Sequence, residues 1–264
     1  MNNRIKKIFS NNQKKLITFV TGGDPDFNTS NKIIENLVKN GADIIEIGMP
    51  FSDPMADGPV IQLSSNRAIK KNTDLNKIFK ICSIFRKKNN IIPLILMGYY
   101  NVIYNFGIDK FIKSCEKFGV DGLIIVDLQP EEDSELIKKI KSKNIDLIRL
   151  ITPTTNKERL KVILKNASGF LYYVTITGIT GQKSAETKKL KRAIQEVKKL
   201  SSLPVVAGFG IKNVKQVKEI CSFTDGVVVG SSIVKLIEKN LNNNQNMILK
   251  DLNDFVKKLK KGTL

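Results

Sequence analysis

Eight short β-type runs recur along the chain and alternate with segments of helical periodicity. In one helical segment Ile33, Ile34 and Leu37 share one face. Because strands that alternate with helices build βαβ units, the sheet is expected to be parallel, and eight units predict a closed (β/α)₈ TIM barrel. The runs are LITFVT (16–21), IIEIG (44–48), PLILM (93–97), GLIIV (122–126), DLIRL (146–150), FLYYVT (170–175), PVVAG (204–208) and GVVVG (226–230).

The predicted domain organisation is a single barrel domain over residues 1–264, with an N-terminal helix before the first strand. A doubly wound open sheet is the structural alternative, but no G-x-G-x-x-G follows the first strand. Apolar runs such as 122–126 are too short to span a bilayer, so we expect no membrane segment. The first 15 residues are charged and contain no apolar signal-peptide core, which favours a cytoplasmic location.

An insertion is predicted after the second strand. Most strand starts lie 22 to 34 residues apart, whereas Ile44 and Pro93 are separated by 49. The insertion opens with the proline-rich loop MPFSDPMADGP and continues through a predicted helix over 61–71, before the unit's own helix over 75–88. At the other end of the chain, the amphipathic tail from 246 to 261 is expected to dock as a helix on the barrel.

Two acidic residues flank the end of the second strand. Glu46 lies in a run that is apolar on both faces, where an unpaired carboxylate costs several kcal/mol unless it has a partner or a function. Asp57 follows in the proline-fixed loop. The chain has no histidine, which excludes Ser-His-Asp and Cys-His mechanisms and leaves carboxylates, tyrosine or lysine for proton transfer. Glu46 and Asp57 are therefore the candidate acid–base pair. The alternative is that Glu46 is a structural acid with a buried partner and that Asp57 only forms a turn.

Three glycine-bearing stretches occupy the exits of the later strands: TGITG (177–181), GFGI (208–211) and GSSI (230–233). Barrels bind phosphate at this corner, where backbone N–H groups and a helix N-terminus meet an anion. The glycines also suit ordinary strand-to-helix turns, but their presence together favours a phosphate ligand.

A net charge of +19 raises the alternative of a nucleic-acid-binding protein. The lysines lie mainly on polar faces of predicted helices, as in 136–144 and 193–200, and are not interleaved with aromatic residues. A solvated surface is therefore favoured, with no nucleic-acid or membrane partner. Cys82, Cys115 and Cys221 have no metal-binding spacing and are expected to be small buried hydrophobes in helices, so no metal site is predicted.

The segments EIGMPFSDPMADGPVIQ (46–62), GDP (23–25), MGYYN (97–101), YYVTITGITG (172–181), GFGI (208–211) and GSSIVK (230–235) resemble the tryptophan synthase alpha subunit family over nearly the whole chain. The resemblance implies a lyase of tryptophan biosynthesis that cleaves indole-3-glycerol phosphate to indole and glyceraldehyde 3-phosphate. It further implies no cofactor in this chain, and an α₂β₂ heterotetramer with a β subunit that carries pyridoxal phosphate.

The resemblance also implies roles for individual residues. The catalytic glutamate and aspartate of the family match Glu46 and Asp57. The phosphate contacts match Thr180, Gly181, Gly210, Gly230 and Ser231; the indole pocket matches Phe19, Ile61, Met97, Tyr99, Ile124 and Phe209; and Tyr172 matches the tyrosine beside the glycerol chain.

The expected mechanism follows from the bond that is broken. Cleavage needs a proton on indole C3 and removal of a proton from the adjacent hydroxyl, and Glu46 is predicted to perform both transfers. Asp57 is predicted to accept a hydrogen bond from the indole N–H and to stabilise the developing cation. Another phosphate-binding barrel enzyme, an isomerase or epimerase, is the alternative, but it has no need of an acid pair beside an insertion after strand two.

Overall fold

The computed structural model describes residues 3–175, 183–208, 210–243 and 245–264. Within them, nine strands form one sheet in which every hydrogen-bonded pair is parallel. The strands are β1 (Lys15–Thr21), β2 (Ile44–Gly48), β3 (Leu94–Gly98), β4 (Gly122–Ile125), β5 (Asp146–Leu147), β6 (Arg149–Ile151), β7 (Leu171–Val174), β8 (Val205–Gly208) and β9 (Gly226–Val229). The predicted parallel barrel is confirmed.

The sheet closes within the fifth predicted strand, and here the prediction of one continuous strand over 146–150 is wrong. The strand order is β5-β4-β3-β2-β1-β9-β8-β7-β6, and its two ends are separated along the chain by Ile148 alone. The Ile148 N–H still bonds the Leu123 carbonyl, at 2.9 Å. β5 pairs with β4, and β6 pairs with β7. The strand that closes a barrel forms hydrogen bonds with a neighbour on each side, and here its first part bonds one neighbour and its second part bonds the other.

The barrel interior is filled by side chains from alternate strand positions. In β1 and β2 the inward residues pair in register, Ile17 with Ile44 and Phe19 with Glu46. The period of two therefore aims Glu46 into the barrel, one layer above Ile44. The inner cluster is closed at the amino end by Ile5 and consists further of Ile17, Ile44, Ile95, Ile124, Ile148, Phe170, Tyr172, Val206 and Val228.

Helices surround the sheet. They are α1 (Arg4–Ile8), α2 (Phe27–Lys39), α3 (Pro59–Lys70), α4 (Leu75–Lys88), α5 (Tyr100–Phe106), α6 (Ile108–Lys117), α7 (Ser134–Ile140), α8 (Lys157–Leu164), α9 (Lys183–Leu200), α10 (Val214–Cys221), α11 (Ser231–Lys239) and α12 (Gln245–Lys260). The predicted N-terminal helix and the insertion after strand two are thus present, as α1 and α3. None of the helices in the described part of the chain is long and apolar enough to cross a membrane.

Two of these helices, α3 and α12, correspond to helices expected from the sequence. The helix expected over 61–71 begins two residues earlier, since Pro59 has the fixed φ and missing N–H that suit a first helical position. The tail helix α12 buries Ile248, Leu252, Val256 and Leu259 and packs against α2 and α11, so its predicted docking is confirmed.

Candidate active site

Glu46 is a buried carboxyl group near the carboxyl end of β2. Its side chain is 1% exposed, and its Oε2 has no hydrogen-bond partner among the described residues. Burial, with the charge of Asp57 as a smaller cause, raises the pKa of Glu46 to about 8. A carboxyl group of this kind exists in both protonation states near neutral pH, which is what a group that donates and then accepts a proton requires.

Asp57 is held over the same end of the barrel by Tyr99. The Tyr99 hydroxyl donates to Asp57 Oδ2 at 3.1 Å and accepts the backbone N–H of Ala56 at 3.0 Å. The Asp57 N–H bonds the Pro54 carbonyl at 3.0 Å, and the Gln62 amide donates to the Asp57 carbonyl at 2.8 Å. Burial raises the pKa of Asp57, and the Tyr99 hydrogen bond opposes that rise. The carboxylate is therefore fixed at a set place in the loop.

A cavity of about 270 Å³ lies at the carboxyl end of the barrel and contains both acids. Its lining is apolar apart from the acids, Tyr172 and Ser231, which suits a flat aromatic ligand with a few polar groups. The lining residues are Phe19, Glu46, Asp57, Gly58, Pro59, Val60, Ile61, Met97, Tyr172, Gly210, Ile211, Val228, Gly230 and Ser231.

One end of this cavity is formed by the N-terminus of α11. Gly230 is the N-cap, and no side chain of the described residues caps the first turn of α11. The Ile233 N–H bonds the Gly230 carbonyl at 2.8 Å, which leaves the N–H groups of Ser231 and Ser232 for an anion. A Cβ on Gly230 would lie 3.1 Å from the Phe19 Cβ, so glycine permits the close approach. The Ser232 hydroxyl donates to the Ile211 carbonyl at 2.7 Å and joins this helix to the loop after β8. This end of the cavity, called the anion site below, has the N–H groups and the glycine that suit an anion.

Tyr172 lines the same cavity as the acids and the anion site. It is 7% exposed, and its pKa is raised by burial and by the charge of Glu46. A Cβ on Gly208 would lie 2.6 Å from the Tyr172 hydroxyl oxygen, so a glycine in β8 leaves the room that this ring occupies.

The structure brings together nine of the fourteen residues predicted for the site. Around the cavity lie Phe19, Glu46, Asp57, Ile61, Met97, Tyr172, Gly210, Gly230 and Ser231. Tyr99 instead lines a small neighbouring cavity and contacts Asp57, while Ile124 is fully buried in the inner cluster and does not line the larger cavity. Thr180, Gly181 and Phe209 lie outside the described residues.

Five lining residues were not predicted from the sequence. Val228 could have been found from the period of two in β9, since it is the inward neighbour of Gly230. Gly58, Pro59 and Val60 line the cavity because α3 begins at residue 59 rather than 61, and Ile211 follows directly from Gly210.

The cysteines lie away from the cavity lining. Cys82, Cys115 and Cys221 are buried in α4, α6 and α10, as predicted. Burial raises the pKa of Cys82 to about 12 and that of Cys221 to about 11, so these thiols stay protonated. In the described part of the chain, no group of three or more histidine, cysteine, aspartate or glutamate residues is placed to hold a metal ion.

Comparison with known proteins gives one consistent result. The family model described as "Tryptophan synthase alpha chain" matches residues 5–263. The tryptophan synthase alpha chain of Zymomonas mobilis is 47% identical over 243 residues, which cover 92% of this chain and 89% of that protein. The structure of tryptophan synthase subunit alpha from Legionella pneumophila matches with a TM-score of 0.91 at 33% identity, over 100% of this chain and 99% of that one. A chain of Mycobacterium tuberculosis tryptophan synthase in an aminoacrylate-bound form matches with a TM-score of 0.88 at 26% identity, over 100% of both chains.

Proposed function

The chain belongs to the tryptophan synthase alpha chain family, whose reaction is the cleavage of indole-3-glycerol phosphate, and from this premise we propose that Glu46 and Asp57 carry that reaction. The observation that supports the assignment is a fully buried carboxyl group with a pKa of about 8 that shares one cavity with a second, tyrosine-bound acid. A phosphate-binding isomerase or epimerase is not favoured, since the family match covers residues 5–263.

In the proposed mechanism, the Glu46 carboxyl group both donates and accepts a proton, so it ends the reaction in its starting state. Protonated Glu46 gives its proton to indole C3, which places positive charge on the ring nitrogen. The bond from C3 to the glycerol carbon then breaks, and its electron pair returns to the ring. The hydroxyl on that carbon loses its proton to the Glu46 carboxylate and becomes the aldehyde of glyceraldehyde 3-phosphate. Glu46 ends protonated, ready for the next turnover.

Asp57 and the anion site have supporting roles in this proposal. The Asp57 carboxylate accepts a hydrogen bond from the indole N–H and stabilises the cation as it forms. Gly210, Gly230 and Ser231 bind the phosphate together with the dipole of α11, and Phe19, Ile61 and Met97 contact the indole ring. We also assign Thr180 and Gly181 to the phosphate and Phe209 to the indole, on the family resemblance alone.

The family identifies the partner of this chain. The alpha subunit needs no cofactor of its own and works with a β subunit, which carries the pyridoxal phosphate. We propose an α₂β₂ assembly and one functional domain over residues 1–264. We further propose a cytoplasmic location, because a phosphate-bearing substrate is charged and does not cross a bilayer unaided.

Glu46→Gln tests the proposal. The amide keeps the shape of the side chain but cannot exchange the proton, so cleavage should fall by about 10²–10⁴-fold while the substrate still binds. Indole release from indole-3-glycerol phosphate is the assay, and wild-type kcat/KM should decline above pH 8 as the donor ionises. Glu132→Gln, at an exposed position, is the control. Activity of Glu46→Gln within about tenfold of the wild type would remove Glu46 from its role.

A further inference from the structure

Two helices supply the two ends of the cavity. The first residues of the inserted helix, α3, line the cavity directly after Asp57, and the N-terminus of α11 forms the anion site. These helices pack against each other and against β1. The distance between Asp57, directly before α3, and the anion end of the site therefore depends on how α3 packs against α11 and β1.

Arg67 joins these elements from outside the cavity. Its Nε donates to Asp24 Oδ1 at 2.7 Å and its Nη2 donates to Asp24 Oδ2 at 2.9 Å, so the guanidinium and the carboxylate meet in a two-point contact. Its Nη1 reaches Glu238 Oε1 on α11 at 3.4 Å. Arg67 is on α3 and Asp24 follows β1, so one side chain connects all three elements.

The ion pair between Arg67 and Asp24 is shielded from water and is supported by a second contact of α3. The Asp24 side chain is 1% exposed and that of Arg67 is 19% exposed, so water cannot readily replace either partner. One turn earlier on α3, the Ser64 and Thr21 hydroxyl oxygens lie 2.5 Å apart in a buried hydrogen bond. α3 is thus attached to β1 through Thr21, to the turn after β1 through Asp24 and to α11 through Glu238, and these three contacts orient it.

We infer that Arg67 is a positioning residue that sets the separation between Asp57 and the anion site at Gly230 and Ser231. Arg67 does not line the cavity, and it acts through the rigid helix between itself and Gly58. This inference rests on the proposed function, because that function assigns the two ends to the indole and the phosphate of one substrate. A ligand that spans both ends depends on their separation, whereas a ligand that fills one end does not.

Arg67→Lys tests the inference. Lysine keeps the charge but has a single ammonium group that cannot reproduce the two-point contact with Asp24 and the reach to Glu238. Calorimetry on the full chain would compare indole, glycerol 3-phosphate, and an indole joined to a phosphate by a three-carbon chain. The affinity for the linked compound should fall about tenfold, while the affinities for the two separate halves change by less than about twofold. In turnover, KM for indole-3-glycerol phosphate should rise accordingly.

Arg4→Lys is the matched control. Arg4 is also about one-fifth exposed, at 20%, and pairs through its Nη1 with the buried Asp121 at 2.7 Å, but at the amino end of the barrel. It should leave all three affinities unchanged. Glu238→Gln, which retains the Asp24 contact, serves if Arg67→Lys fails to fold, and should weaken only the linked compound, by about twofold.

Different calorimetric results would contradict the role of Arg67 and the proposed function of the cavity. If Arg67→Lys weakens the halves as much as the linked compound, or weakens none, Arg67 does not set the spacing and the inference is wrong. If the wild type binds the linked compound no better than indole alone, the proposed function of the cavity fails, and the inference fails with it.

Discussion

Glu46 is a carboxyl group that the fold accommodates at a cost in stability. Its pKa of about 8 lies well above the ordinary value of 4.5, because burial disfavours the charged form. The free energy of ionising Glu46 in the folded chain is therefore about 5 kcal/mol less favourable than in the unfolded chain. Since folded domains are stable by only about 5–15 kcal/mol, the rest of the barrel must compensate for this residue.

Glu46→Gln is expected to stabilise the protein as the pH rises. The folded-state pKa is raised, so the stability associated with protonated Glu46 is fully present below pH 4.5 and is lost as the pH rises through 8. Glutamine stays neutral throughout. The difference in unfolding free energy between the variant and the wild type should grow by about 3–5 kcal/mol between pH 4 and pH 9, as measured by urea titration.

Glu132→Gln is the control for this stability measurement, because Glu132 is exposed. Its difference from the wild type should stay nearly flat over the same pH range. A flat curve for Glu46→Gln as well would show that Glu46 is not desolvated in the folded protein.

Glu46 and Tyr99 differ in how far the sequence predicts their roles. The role of Glu46 could be predicted because a charged residue stands out in an otherwise apolar strand. The role of Tyr99 could not, since its hydroxyl contacts Ala56 and Asp57 across more than forty residues of chain. The family resemblance implies that Tyr99 belongs to the indole pocket, and the structure adds that its hydroxyl bonds the loop that carries Asp57.

At the scale of elements, periodicity predicts helices better than strand boundaries. The pattern predicts a helix over 75–88, and α4 spans Leu75–Lys88, with Asp74 as a side-chain cap and basic residues in the last turn. The sequence of 146–150 does not indicate the break at Ile148, because residue types do not show which strand each residue pairs with. Local signals thus fix helices, whereas barrel closure depends on the pairing of distant strands.

The tail helix provides a prediction about packing. Leu252 is fully buried in α12, so Leu252→Ala should lower the free energy of unfolding by about 2–5 kcal/mol. Because Leu252 does not line the cavity, kcat of the folded protein should stay at the wild-type level. Urea unfolding and indole release measure the two effects.

Leu264→Ala is the matched control, since Leu264 is 90% exposed and the same atoms are removed. It should change the stability by less than about 0.5 kcal/mol. An equally small effect of Leu252→Ala would mean that α12 contributes little to the stability of the barrel.

At the scale of the whole molecule, the loop that carries Asp57 faces outward at the carboxyl end of the barrel. Met55 at its tip is 84% exposed, and Asp57 behind it is half-buried. A partner that covers this loop restricts its motion and excludes water from the acids. Saturating β subunit should therefore raise the rate of indole-3-glycerol phosphate cleavage by about tenfold or more.

Met55→Asp tests whether the β subunit stimulates cleavage through the loop that carries Asp57. A charge at the exposed tip should weaken binding of the β subunit and the stimulation that depends on it, with little change in the rate of the chain alone. Ile91→Asp is the control, because Ile91 is 77% exposed and precedes β3, at the opposite end of the barrel. Confirmed binding of the β subunit without any rate change would show that the loop is already fully organised in the free chain.

Glu46 has a pKa of about 8, which lies between the usual range of carboxyl groups and the range of the buried thiols. The chain has no histidine, and the thiols of Cys82 and Cys221 titrate near pH 12 and 11. Indole has no group that ionises near pH 8, so its heats of binding in two buffers of different ionisation enthalpy report the protons that the protein takes up or releases, Glu46 foremost among them. In an enzyme with histidines near the ligand, imidazoles would add to such a count, whereas in this cavity the carboxyl groups of Glu46 and Asp57 are the acids beside the ligand.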